Sequence, residues 1–271
     1  MRRDADGTIR RAPETRPRRD ILPPDISLLT WLGLLAAIFA AGMLRGFTGF
    51  GFALAAVPLA SLALPPAQVV PAMVFMQVAI GARDWVKERR LADRFSVPRL
   101  VVGCALGTPL GVAVLAFLPG PIMRLVVGGV VLLAVFATWH GPGQPRPRQT
   151  WFALVCGLAS GVFNGLSAMG GPPAVLYFLA VEPDRNITRS SLMFYFPLAA
   201  ALALPGNFLA GLVHPSTLVM AAAGFPAMLA GCWIGGIAFR HVGGGSYRAV
   251  AALCLLTTAA AAIARGGAGL L

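Results

Sequence analysis

Arg45 is the one charged residue between Asp25 and Arg83, and it stands in Gly42-Met-Leu-Arg-Gly-Phe-Thr-Gly-Phe-Gly51, with apolar runs on both sides. A guanidinium in such surroundings must be paired or put to use, because taking a charge out of water is costly. The glycines around it predict a broken helix, since each costs about 1 kcal/mol against alanine. A helix that restarts after a break exposes unpaired N–H groups and the positive end of its dipole, which together attract anions. A second stretch of this kind is Gly157-Leu-Ala-Ser-Gly-Val-Phe-Asn-Gly-Leu-Ser-Ala-Met-Gly-Gly-Pro-Pro173. Pro172 and Pro173 suit the first turn of a helix, where a missing N–H costs nothing.

The chemistry predicted is binding of a small anion, without catalysis, metal or cofactor. Arg45 supplies charge, and the backbone at Gly49, Gly51, Gly170 and Gly171 supplies N–H donors. Gly46 and Gly165 belong to the same candidate site, and Thr48, Asn164 and Ser167 add side-chain hydrogen bonds. Each residue also has a plainer reading. The glycines would only let helices approach, Arg45 would snorkel to an interface, and Thr48 and Ser167 would bond to their own preceding turns.

Composition says what must position these residues. Mean hydropathy is +0.76, 57% of residues are hydrophobic and 12% are charged, against roughly 25% charged in a soluble domain. Solidly apolar segments at 26–44, 52–64, 68–82, 97–118, 121–139, 151–164, 172–181, 190–204, 215–239 and 246–264 predict an all-α polytopic membrane protein and exclude the alternating pattern of a β-barrel. The segments at 52–64 and 172–181 are short, and read as broken or re-entrant helices that begin inside the membrane. The net charge of +12 lacks the aromatic-interleaved basic stripe of a nucleic-acid binder, and its basic residues flank the segments as topology signals. Cys104, Cys156, Cys232 and Cys254 lie apart inside apolar runs with no CxxC, which gives neither a metal site nor a disulfide framework.

The chain is expected to be duplicated. An offset of 119 lays Gly42, Arg45, Gly46, Thr48 and Gly51 on Gly161, Asn164, Gly165, Ser167 and Gly170, and an offset of 124 lays Gly107 and Gly111 on Gly231 and Gly235. The loop at 83–94 is rich in arginine while its counterpart near 205–214 has none, so equivalent loops lie on opposite sides of the membrane. This predicts two inverted repeats of about five segments, at 26–139 and 151–271, joined by a linker at 140–150 and preceded by a disordered Arg-rich tail at 1–25. The tail's seven arginines oppose the orientation that the short loops predict. No Asp or Glu is expected inside a span, which leaves proton coupling without an obvious carrier.

Gly46-Phe-Thr-Gly-Phe-Gly-Phe52 with Pro58, followed by Asn164-Gly-Leu-Ser-Ala-Met-Gly-Gly-Pro-Pro173, resembles the paired motifs of the TauE/SafE sulfite exporter family, also called the TSUP transporters. The resemblance covers roughly residues 27–265. It implies transport of sulfite or an organosulfonate across a bacterial inner membrane by a multi-pass protein. Many members run three or four glycines together in the first motif, where this chain has Gly49-Phe-Gly51 with Phe50 and Phe52, which implies a narrower or more apolar site. The expected partners are a small anion and the lipid bilayer, with a homo-oligomer as an open option and nucleic acid excluded.

Three other classes stand beside this one. A passive anion channel or a uniporter for a non-sulfur carboxylate would show no coupling of uphill flux to an ion gradient. An intramembrane serine protease needs a nucleophile beside a base, and Gly165-Leu-Ser-Ala-Met169 lacks the GxSxG spacing while the histidines stand at segment ends. An assembly protein without a substrate would gain nothing from two paired breaks.

Overall fold

The computed structural model describes residues 27–48, 51–118 and 147–241, with four further positions between 122 and 129. The tail at 1–25 and the segments expected at 121–139 and 246–264 fall almost wholly outside these residues. Eight helices are described: α1 Leu28–Thr48, α2 Phe52–Ser61, α3 Pro66–Glu88, α4 Ser96–Phe117, α5 Thr150–Ser167, α6 Gly171–Val181, α7 Arg185–Leu209 and α8 Pro215–His241. Six are long and apolar enough to cross a membrane, and α2 and α6 are the short exceptions. No strand occurs among the described residues. Leu29, Leu106, Phe117, Leu209 and Trp233 stand exposed on the outside, as lipid-facing side chains do in a multi-pass membrane protein.

The first break is shorter than the glycine density predicts. α1 runs unbroken through Gly42 and Gly46 to Thr48, and α5 runs through Gly157, Gly161 and Gly165 to Ser167. Close packing offsets the helix cost of these glycines. A Cβ at Gly42 or Gly46 would overlap the backbone of Met228 or Cys232 on α8, and one at Gly161 or Gly165 would overlap Cys104 or Thr108 on α4. Backbones that approach this closely gain dispersion contacts, the main source of helix association in lipid.

These two interfaces match residue by residue. Gly231 and Gly235 on α8 meet Phe39 and Met43 on α1, while Gly107 and Gly111 on α4 meet Leu158 and Val162 on α5. Each of these glycine contacts between α1 and α8 maps onto one between α4 and α5 under the offsets of 119 and 124. Between them lie α3 and α7, which run in opposite directions: Glu88 accepts from Ser190, a Cβ at Gly81 would strike Pro197, and Phe75 meets Phe208 edge-on at 5.9 Å.

One end of the bundle is tied by polar groups. Asp93 accepts from the Ser96 hydroxyl at 2.6 Å, Ser96 and Tyr177 share a 2.9 Å hydrogen bond, and the Asp93 N–H donates to Ser191 at 2.8 Å. Arg148, just before α5, bridges Asp93 and Glu182. α7 opens with Asp184 as its N-cap, accepting from the Asn186 N–H at 2.7 Å. The polar link expected at 182–189 is therefore partly helical.

Candidate functional site

The two breaks meet in one cleft. The end of α1 supplies Arg45, and the first break with the start of α2 supplies Gly51, Phe52, Ala53 and Leu54. The second break contributes Ala168 and Met169, and the start of α6 contributes Gly171. α3 adds Gln77 and α7 adds Phe196. The cleft is a narrow crevice, with about 10 Å³ of enclosed space, room for roughly one water molecule. The helix starts nearly touch, since a Cβ at Gly171 would stand 3.5 Å from the Leu54 side chain.

Backbone geometry fixes both turns. Gly51 caps α2 at φ 89°, in the left-handed region that glycine enters without penalty. Ala168 turns the chain out of α5 at φ 56°, an unusual conformation for a residue with a Cβ. Asn164 holds this turn from both sides. Its carbonyl accepts the Ala168 N–H at 2.7 Å, and its side-chain amide donates to the Ala199 carbonyl on α7 at 2.6 Å. Ser160 donates to the Gly170 carbonyl, and the Tyr195 hydroxyl, 2.6 Å away, is left to donate to Ser160. Gln77 reaches the Ala168 carbonyl with a long 3.4 Å bond.

The two helix starts are not equal as anion sites. No side chain caps α2, and its first backbone bond runs from Ala55 N–H to the Gly51 carbonyl at 3.2 Å. Helix geometry leaves the N–H groups of Phe52, Ala53 and Leu54 without intrahelical acceptors. At α6, Pro172 and Pro173 carry no N–H, so Gly171 alone of the first three residues has one to offer. The apolar walls of Phe52, Leu54, Met169 and Phe196 keep the local dielectric low, which strengthens every charge interaction inside.

Arg45 is not a free cation. Its side chain is 4% exposed and forms an ion pair with Asp84 on α3, whose side chain is 9% exposed. This corrects the expectation that no acidic residue lies inside a span. α3 continues past the apolar segment into the charged island at 83–94, and its last turns carry Asp84 back into the protein. Arg45 also sits in the last turn of α1, where a cation favours the helix dipole.

The remaining expected residues divide by position. Gly46 faces α8 and Gly165 faces α4, so their close contacts are with helix backbones, and neither lines the cleft. Ser167 donates to the Phe163 carbonyl of its own helix at 2.9 Å. Asn164 and Gly170 stand in the layer behind the cleft lining. Gly49 and the Thr48 side chain lie outside the described residues. Sequence reasoning missed Asp84, Gln77, Phe196, Ser160 and Tyr195. Asp84 was hidden among the other charges of its island, while the others are ordinary residues of apolar helices. Among the described residues no cluster of His, Cys, Asp or Glu could hold a metal ion.

A family model described as "Sulfite exporter TauE/SafE" matches residues 34–262. No curated protein and no solved structure matches the chain. The matched span includes both glycine stretches and every residue that lines the cleft. With six long apolar helices, the match makes the chain a multi-pass membrane transporter. The chain belongs to the sulfite exporter TauE/SafE family.

Proposed function

We propose that this transporter moves a small oxyanion, sulfite or an organosulfonate, across the bacterial inner membrane, with its binding site in the cleft between the two breaks. The observation that carries the reading is the convergence of Arg45 and the starts of both short helices on one apolar-walled cleft. A guanidinium beside unpaired helix N–H groups is suited to an anion with several oxygens. Binding uses Arg45, Gly51 and Gly171 at the wall, with Thr48 and Gly49, between Arg45 and Gly51 in sequence, as further donors. Gly46, Asn164, Gly165, Ser167 and Gly170 act from behind by fixing the shape of the two turns.

Inverted repeats at 26–139 and 151–271 fit this reading. The matching glycine contacts support a twofold relation between the halves. The opposite directions of α3 and α7 favour an axis in the membrane plane, because an axis along the membrane normal would leave equivalent helices parallel. Such a build lets one half rock against the other about a central site. A passive channel or uniporter for a non-sulfur carboxylate is the second reading. It is favoured by the Arg45–Asp84 pair, since a guanidinium that already holds one carboxylate can hold another.

A thermal-shift panel on the purified protein in detergent tests the proposal. Sulfite, sulfate, thiosulfate, sulfoacetate, taurine, acetate, lactate and chloride would each be added. A ligand that binds only the folded state stabilises it by about 2.7 kcal/mol at a hundredfold excess over Kd. The expected result is a shift with sulfite or sulfonates and none with chloride. A shift with carboxylates alone would favour the second reading. No shift with any anion, together with no saturable flux in liposomes, would overturn both.

A further inference from the structure

Asp84 holds the one charged side chain among the described residues that line the cleft. Its carboxylate accepts from one terminal nitrogen of Arg45. The guanidinium has five N–H donors in a planar fork, more than one carboxylate oxygen can occupy, and Arg45 also lines the cleft. Gly46, next to Arg45 in the chain, packs on the Cys232 backbone of α8, which places the pair beside the tight α1–α8 contact. The equivalent position in the second half is neutral: Asn164 replaces Arg45 and bonds to the Ala199 carbonyl on α7.

A buried arginine with no counter-charge would hold an incoming anion tightly and release it slowly. A buried arginine that already has a carboxylate does neither. Bringing a second anion into the cleft sets two negative charges against one positive charge, and the repulsion is large where the dielectric is low. The anion must share Arg45 or displace Asp84 from it. An oxyanion offers two oxygens that match the fork of the guanidinium, while a halide offers a single point. Sharing or displacing a carboxylate therefore selects for oxyanions.

We propose that Asp84 is a tethered counter-anion of the transport site: its carboxylate competes with substrate for Arg45, selects oxyanions over halides and sets the rate of release. The inference rests on the cleft being the anion site. When the cleft is empty Asp84 keeps Arg45 neutralised. With the anion present the guanidinium turns partly from Asp84 to the substrate. Asp84 drives the substrate off again when the cleft opens to the other side. Asp84 acts through Arg45 and is a positioning residue that sets specificity.

The test compares wild type with Asp84→Asn, Asp84→Glu and Arg45→Gln. Sulfite, sulfate and chloride binding would be measured by calorimetry in detergent, and sulfite flux in proteoliposomes. The expected result is that Asp84→Asn binds sulfite about tenfold more tightly or better, through loss of a neighbouring like charge, yet turns over more slowly. It should also begin to bind chloride. Asp84→Glu should keep the wild-type preference for sulfite over chloride, and Arg45→Gln should bind neither. A partner that only braces Arg45 would instead lower affinity and turnover together when changed to Asn, and that result overturns the proposal.

Should Asp84→Asn fail to fold, difference infrared spectroscopy on wild type reads the same event. Adding sulfite should shift a carboxylate stretch, and the band should move in Asp84→Glu. An unchanged carboxylate region in a protein that binds sulfite would overturn the competing role of Asp84. If wild type binds no anion at all, it is the anion-site reading that fails.

Discussion

Arg45 at the end of α1 and Asp84 near the end of α3, 39 residues apart in sequence, form a buried ion pair, and Arg45 also lines the cleft. Removing one partner of such a pair strands the other charge, which costs about 3–5 kcal/mol, while removing both is often neutral. Arg45→Gln alone should lower the melting temperature markedly, and Arg45→Gln with Asp84→Asn should recover most of it. Anion binding should be absent from both variants. Thermal melts of the four members of this cycle separate the stabilising role of Arg45 from its binding role. Recovery of binding in the double variant would count against Arg45 as the anion's partner.

Glycines that pack and glycines that merely occupy a helix should respond oppositely. Gly161→Leu would drive a side chain into the Cys104 backbone on α4, and overpacking of this kind should cost about 3 kcal/mol or more. Gly33 on α1 has open space around the position a Cβ would take, with nothing within 4 Å, so Gly33→Ala should be neutral or stabilising by up to about 1 kcal/mol. Detergent melts of the two variants check the contrast. Equal tolerance at both sites would deny the close α4–α5 approach.

Gly171 offers a probe of the cleft that should spare the fold. A Cβ there would meet the Leu54 and Phe196 side chains at 3.5 Å and 3.8 Å, which is ordinary contact. Gly171→Ala should therefore change stability by less than about 0.5 kcal/mol while weakening anion binding by filling the space between the two helix starts. Gly51→Ala should behave differently. At φ 89° a Cβ costs about 1–2 kcal/mol, so stability and binding should fall together. Binding isotherms with melts on the same samples distinguish the two patterns.

Two kinds of signal made the site readable in sequence, and two kinds of silence hid the rest. Glycine density marked both breaks, because few other residues tolerate the left-handed turn at Gly51 or the close approach of Gly170 to Ser160. The same density overstated the breaks, since Gly46 and Gly165 look like Gly51 in one dimension but face neighbouring helices. Ala168, which carries the second turn at φ 56°, gives no local signal at all. It is held there by Asn164 and by long-range packing. Asp84 was hidden for a different reason. Hydropathy ends the third segment at residue 82, but the helix runs on to Glu88 and turns one carboxylate inward.

Arg148 ties the end of the bundle that carries Asp93, Ser96, Tyr177 and Glu182. Its side chain is 43% exposed, so water weakens its pairs, and Arg148→Ala should cost about 1–2 kcal/mol rather than the full value of a buried pair. The loss should shrink at high salt, where exposed pairs are already screened. Melts of wild type and variant at low and high salt measure this directly. A difference that does not change with salt would mean that packing, rather than charge, is what Arg148 contributes.

The most direct test of the account is saturable flux of radiolabelled sulfite in proteoliposomes. Wild type, Arg45→Gln and the Arg45→Gln/Asp84→Asn double variant would be reconstituted at equal amounts, with the double variant controlling for stability. The account predicts saturable sulfite flux in wild type alone. Flux of wild-type rate and affinity in the double variant would contradict it, because a cleft without its guanidinium would then be carrying the anion unaided.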